Sequence, residues 1–166
     1  MRLVNDIFKI ALIVGAIFLF KVAAAQEDFL ELLPGSERFI YNEKTGVHRL
    51  IGTVNFKYQG NTMYCDSAHY HETKKLVYAY GNVHVIKEEV NLFCDSLFYD
   101  GNIELAKLWS NVRVRDNEYK LTTDSLDYKA DKNVGIYRNG GVIERILKDE
   151  VLTSTIGYIY TESKDM

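Results

Sequence analysis

Three carboxylates recur at a fixed interval: Asp66, Asp95 and Asp124 lie 29 residues apart, each followed by a serine (Ser67, Ser96, Ser125). A row of carboxylates is one way to hold calcium, but calcium loops carry a glycine at a sharp turn, and none accompanies these. The expectation is therefore structural: strand-end Asp side chains accepting backbone hydrogen bonds near a bend, with the serines helping. His69 and His71 lie two apart, with His48 and His84 elsewhere. Zinc needs three or four converging ligands, so these read as surface histidines and no metal site is expected. Cys65 and Cys94 are also 29 apart and are not a Cys-x-x-Cys pair. If equivalent strands stack directly, their Cα atoms sit roughly 5 Å apart and can bridge; with a strand between them the distance is roughly 10 Å and they cannot. The expectation is two unbridged, partly buried thiols, with a bridge left open for an exported chain. No nucleophile–base–acid set, P-loop or dinucleotide fingerprint is present. The chain reads as a non-enzyme without a cofactor.

The elements that carry these residues repeat with them. Thr62–Tyr70, Asn91–Tyr99 and Leu121–Tyr128 are copies of one segment, ending in Tyr70, Tyr99 and Tyr128. Tyr41 lies 29 residues before the first; Tyr158 lies 30 after the last. A second segment alternates Val-x-Val: Val54-Asn55-Phe56, Val83-His84-Val85 and Val112-Arg113-Val114, with a weak copy at Val142. Such alternation marks a half-buried strand. Gly52, Gly81 and Ser110, two residues before each first valine, suggest a bulge or a close approach of backbones. Polar turns follow each copy. A fixed period of this length signals stacked supersecondary units. One hairpin cannot bury its apolar face alone, whereas several stacked hairpins can. The expectation is an all-β domain of roughly ten short strands, with the five tyrosines as a stacking ladder at the sheet corner that fixes register. A sugar- or lipid-contacting role for them is the alternative.

The bulk numbers suit one such domain: 166 residues, a single proline, and 13% aromatics of which twelve residues are tyrosine. At the N-terminus, Arg2 and Lys9 precede an apolar run from Ile10 to Phe20, and Ala23-Ala24-Ala25 follows Lys21. Eleven residues fall short of the roughly 20 needed to span a bilayer. Residues 1–25 therefore read as a secretory signal peptide, a helix cut after Ala25, with an uncleaved anchor as the alternative. Its removal takes away three basic side chains and Asp6, so the net charge falls from −3 to −5. An acidic chain without a basic stripe argues against nucleic acid as partner. Residues 26–36 form a capping segment, either a short helix or an edge piece closed by Pro34-Gly35; 37–160 hold the repeats and 161–166 a tail.

Gly-Asn-Val-x-Val followed by (Cys/Thr)-Asp-Ser-Leu-x-Tyr and a polar turn resembles the OstA-like (LptA) family of lipopolysaccharide-transport proteins. The variants Asn-Thr-Met-Tyr-Cys-Asp-Ser and Asn-Leu-Phe-Cys-Asp-Ser look most like those of the Bacteroidota. The resemblance covers residues 37–160. It implies a semi-open β-jellyroll in the periplasm, associated with transport machinery of the inner or outer membrane. It also implies an apolar groove for lipid A acyl chains, and edge-to-edge strand pairing with other jellyroll modules of a bridge. On that architecture the inward set is Val54, Phe56, Val83, Val85, Val112, Val114 and Val142 from the first strands, and Phe39, Ala68, Leu97, Leu126 and Ile156 from the second. Alternating Val and Leu serve equally a filled core, as in a structural β-solenoid or adhesin module that binds proteins without lipid.

Overall fold

A computed structural model describes residues 31–58 and 60–160. They form twelve strands: β1 (Glu31–Leu32), β2 (Arg38–Asn42), β3 (Val47–Tyr58), β4 (Asn61–His71), β5 (Leu76–Lys87), β6 (Val90–Asp100), β7 (Leu105–Arg115), β8 (Tyr119–Lys129), β9 (Val134–Tyr137), β10 (Gly141–Arg145), β11 (Glu150–Ser154) and β12 (Gly157–Tyr160). One 3₁₀ turn, Ala130–Lys132, separates β8 from β9. The signal-peptide expectation and the tail lie outside the described residues.

Strands β3 to β8 follow one another as an antiparallel meander, each hairpin pairing with the next. Six strands of 11 or 12 residues replace the short ones expected, because each runs through a bend that the sequence presents as two segments. The bend is a column of bulges where the register shifts, between Ile51 and Val54, Tyr80 and Val83, and Trp109 and Val112. There two successive residues take left-handed backbone: Gly52-Thr53, Gly81-Asn82 and Ser110-Asn111. That conformation strains ordinary residues and is tolerated by Gly and Asn. The sequence signal at Gly52, Gly81 and Ser110 thus marks the corner.

The corner divides the sheet into two arms that face each other. In the Leu arm, Leu50, Ala68, Ala79, Leu97, Leu108 and Leu126 are paired neighbours in one row. In the Val arm, Val54 pairs with Cys65, Val83 with Cys94 and Val112 with Thr123. Phe56, Met63, Val85, Leu92, Val114, Leu121 and Ile143 form the next row out. Both arms bury these rows in one hydrophobic cluster, which a flat sheet could not do. Tyr58 at the end of β3 meets Tyr99 on β6 edge to face, ring centres 5.8 Å apart, so the rims approach across the mouth.

Beyond β8 the sheet forks. The Leu arm continues through β9 and β12, the Val arm through β10 and β11. At the other end β2 extends the Leu arm and β1 the Val arm, both on β3. Residues 31–32 are therefore an edge piece, not a helix.

Candidate functional site

The face enclosed by the two arms is the candidate site. From the tyrosine row to the row of Phe56, Met63, Val85, Leu92, Val114 and Leu121 no Asp, Glu, Lys or Arg takes an inward place; the first charge is the exposed Lys87, paired with Val90 at the rim beyond Val85. Burial is graded. Nearest the corner Val54, Ala68, Val83, Leu97, Val112 and Leu126 are buried, and Phe56 and Leu121 of the next row join them. Further out Met63, Val85, Leu92, Val114 and Ile143 of the Val arm, with Tyr70, Tyr99 and Ala106 of the Leu arm, are half-buried against that core. The apex is packed solid and the apolar lining becomes accessible towards the mouth.

Of the expected inward set, Val142 and Ile156 lie elsewhere, and Phe39 keeps its row but at the exposed edge. Val142 pairs with Thr122, which pairs with Arg113, so it stands in an outer row; Ile143 and Gly141 take the inward places. Phe39 is in file with Leu50 but on the edge strand β2, and is 54% exposed. Ile156 is in no strand and is 56% exposed. The tyrosines divide similarly. Tyr41, Tyr70, Tyr99 and Tyr128 share one row with His48, Val77 and Ala106 between them. The row lies at the turn end of the strands, not at the corner, and the alternation with smaller residues keeps the tyrosines apart. Tyr158 pairs with Ile136 on the outer face and is 61% exposed, while Ile159 takes the inward place. Its 30-residue step explains the flip, since one extra residue turns a strand over.

Asp66 and Asp95 point outward at the corner, not towards the face of Ala68 and Leu97. Their Oδ2 atoms accept hydrogen bonds from Asn82 Nδ2 at 2.9 Å and Asn111 Nδ2 at 2.7 Å. Each carboxylate thus clips the left-handed Asn of the next strand, with a side chain in place of the expected backbone partner. Asp124 has no such Asn opposite; Gly140 stands sixteen residues on. Cys65 and Cys94 are buried, free thiols on β4 and β6 with β5 between them, which separates them beyond bridging distance. Burial, foremost, pushes both thiols up to about 12, so they are held protonated. The histidines are packed against rings: His84 stacks on Phe93 at 4.2 Å and His48 lies 4.7 Å from Tyr41. Burial, then Arg49 and His71, lowers the His69 pKa. Among the described residues no group of three or more potential ligands converges as a metal site.

Tyr137 gave no sequence signal of its own, yet it is the largest fully buried side chain. It follows Leu126 in the inner row of the Leu arm and its ring lies over Gly141 of the Val arm and Gly157 of β12. Its hydroxyl is 2.6 Å from Ser154 Oγ. It fills the fork between the arms like a stopper. The glycines at 141 and 157, unaccounted for by any turn, were the available hint.

A two-armed antiparallel jellyroll with an uncharged interior and split edges defines the class. The OstA-like protein family model matches residues 34–166, and the chain belongs to that family. Its structure is similar to the crystal structure of LptH from Pseudomonas aeruginosa, described as the LptA-homologous periplasmic component of a conserved lipopolysaccharide transport device. The TM-score is 0.59 at 11% identity, over 82% of this chain and 97% of that one. No curated protein matches in sequence.

Proposed function

We propose that this chain is a periplasmic module of a lipopolysaccharide-transport bridge, holding acyl chains between its arms. The observation that carries the reading is the apolar inner face, free of charge inside the Lys87 rim, continuous across β3 to β8 and increasingly accessible towards the mouth. Apolar burial stabilises bound lipid by roughly 0.8 kcal/mol per methylene, so no charge pair is needed to hold it. Family membership and the likeness to LptH support the same reading. The exposed apolar side chains of the terminal strands, Phe39, Ile40, Val151 and Leu152, suit strand-to-strand docking of further jellyrolls. No chemical step is assigned: the thiols stay protonated, and Asp66 and Asp95 are engaged by Asn82 and Asn111.

The packed apex moves the contact zone outward, to Val85, Leu92 and Val114. Photo-reactive residues at these three positions should crosslink to lipid in cells, and one at outward-facing Tyr64 should not. Adducts at 64 with none at 85, 92 and 114 would reject the reading. The solid packing of Val54, Val83, Val112 and Leu97 favours a second reading, a structural repeat without cargo. Mass spectrometry of the membrane-extracted protein separates the two, since only a carrier retains stoichiometric lipid.

A further inference from the structure

The outer faces of the two arms differ in one respect. On the Val arm, Tyr64, His84 and Phe93 are cross-strand neighbours whose rings stack at 5.8 and 4.2 Å, with the Arg113 guanidinium over Phe93. Each ring is covered by the next. On the Leu arm the corresponding row reads Ser67, Tyr80, Ser96, Trp109, Ser125. Serine alternates with an aromatic ring, so each serine floors a slot. The slot over Ser125 is occupied by Asn139, whose Nδ2 donates to Ser125 Oγ at 3.1 Å. The slot over Ser96 is open: a cavity of about 390 Å³ lined by Tyr78, Tyr80, Ser96, Phe98, Lys107 and Trp109.

The geometry points to a saccharide: we propose that the Ser96 slot binds a pyranose ring between Tyr80 and Trp109, with Lys107 receiving an acidic substituent. Tyr80 and Trp109 flank Ser96 on adjacent strands, so their Cα atoms are two strand spacings, about 10 Å, apart. That leaves room for one ring between two aromatic side chains. Both walls are solvent-accessible, at 43% and 41% exposure; His69 packs edge-on to Tyr80 at 5.8 Å, and in the next row Tyr78 packs against Phe98 at 4.9 Å. The negative faces of aromatic rings attract positively polarised C–H groups, which a pyranose presents on its flat sides. The rim carries the Ser96, Tyr78 and Tyr80 hydroxyls, the indole N–H and an ammonium. An apolar side chain from a protein partner would desolvate these without offering partners; sugar hydroxyls would satisfy them. The volume falls in the range of small-molecule sites. The slot lies on the face opposite the lipid lining and does not depend on it.

Trp109 is the single tryptophan of the chain, so its emission reports on this wall alone. The purified full chain is titrated with cellobiose, lactose, N-acetylglucosamine and glucuronic acid. At least one should shift Trp109 emission saturably. Tyr80→Ala, and Ser96→Gln, which fills the slot as Asn139 fills its neighbour, should each weaken that binding about tenfold or more with an unchanged urea midpoint. Lys107→Met should weaken glucuronic acid and spare the neutral sugars. Crosslinking at 85, 92 and 114 should be unaffected by Ser96→Gln, which separates this site from the groove. No saturable shift with any of the four sugars would overturn the proposal. So would undiminished binding in Ser96→Gln, or a shift driven by protein concentration alone, which would put a second copy of the chain in the slot.

Discussion

A methyl group added at Gly157 tests how the forked end is held. Gly157 has no unusual backbone requirement, so alanine there carries no conformational penalty of its own. Its Cβ would instead fall within the van der Waals shell of Tyr137 Cζ, Oη and Cε1. The Tyr137 ring is 1% exposed and sits between the two arms, so it cannot swing away. Overpacking of this kind costs about 1–3 kcal/mol, and the rigid ring places Gly157→Ala near the top of that range. For a domain of this size, that lowers Tm by on the order of 10 °C. Gly135→Ala is the matched control, on the strand that pairs with β12. Its Cβ would meet Leu126 Cδ1 at 3.4 Å, an ordinary contact, and the stiffer unfolded chain offsets the small crowding, so its effect should be near zero. Tyr137→Ala should cost about 3–5 kcal/mol alone, and adding Gly157→Ala to it should cost nothing further, a strongly non-additive cycle. Urea unfolding followed by circular dichroism measures all four variants. Gly157→Ala no worse than Gly135→Ala, or an additive double variant, would refute the stopper.

Other expectations follow from single contacts. Asn82→Ala removes the clip to Asp66 and leaves alanine in left-handed backbone, so it should destabilise by about 1–3 kcal/mol, and Asn82→Gly by less; equal losses in urea unfolding would dissociate the corner from its backbone geometry. Ile159→Ala should cost about 1–2 kcal/mol and Tyr158→Ala under about 0.5; the reverse order would mean that β12 is registered the other way. Cys65 and Cys94 should resist a thiol-reactive disulfide reagent at neutral pH until the protein unfolds, and fast native-state labelling would contradict their burial. Because their folded pKa is raised to about 12 from the ordinary 9.0, the folded state binds the protons more tightly. Their contribution to stability is complete below pH 9 and declines as pH rises towards 12. The double Cys→Ala variant should lose that part of the alkaline decline, and an unchanged pH profile would remove the assignment.

The repeat made most of the architecture legible. Twenty-nine residues per hairpin puts Ala68, Leu97 and Leu126 in one row and Val83 and Val112 in another, and the structure keeps both. What the sequence hid was parity. Between Leu50 and Val54 the chain inserts three residues, whereas between Cys65 and Ala68 it inserts two. The Asp and Ser of the shorter bend are therefore both turned out while Cys65 and Ala68 on either side of them stay in. Alternation alone cannot show this, because it assumes an unbroken strand. After Tyr128 the spacing stretches by one, and Val142, Ile156 and Tyr158 all fall off the pattern together. Tyr137 escaped because its role depends on two glycines brought to it from β10 and β12, a non-local fit that no periodic count contains. The grading from packed apex to accessible mouth is likewise a property of folding the sheet, since Val83 and Val85 look alike in the chain.

The fork has a consequence for whatever adjoins this end. β8 is the last strand to traverse both arms; past it the backbone rim is broken into a five-residue piece on β11 and a four-residue piece on β12. The opposite rim is broken too, into β1 and β2. Among the described residues, neither end therefore offers one long continuous strand to a neighbouring module. A module that docked there would have two short stubs to grip in place of one strand, and engaging only one of them would leave a weak join.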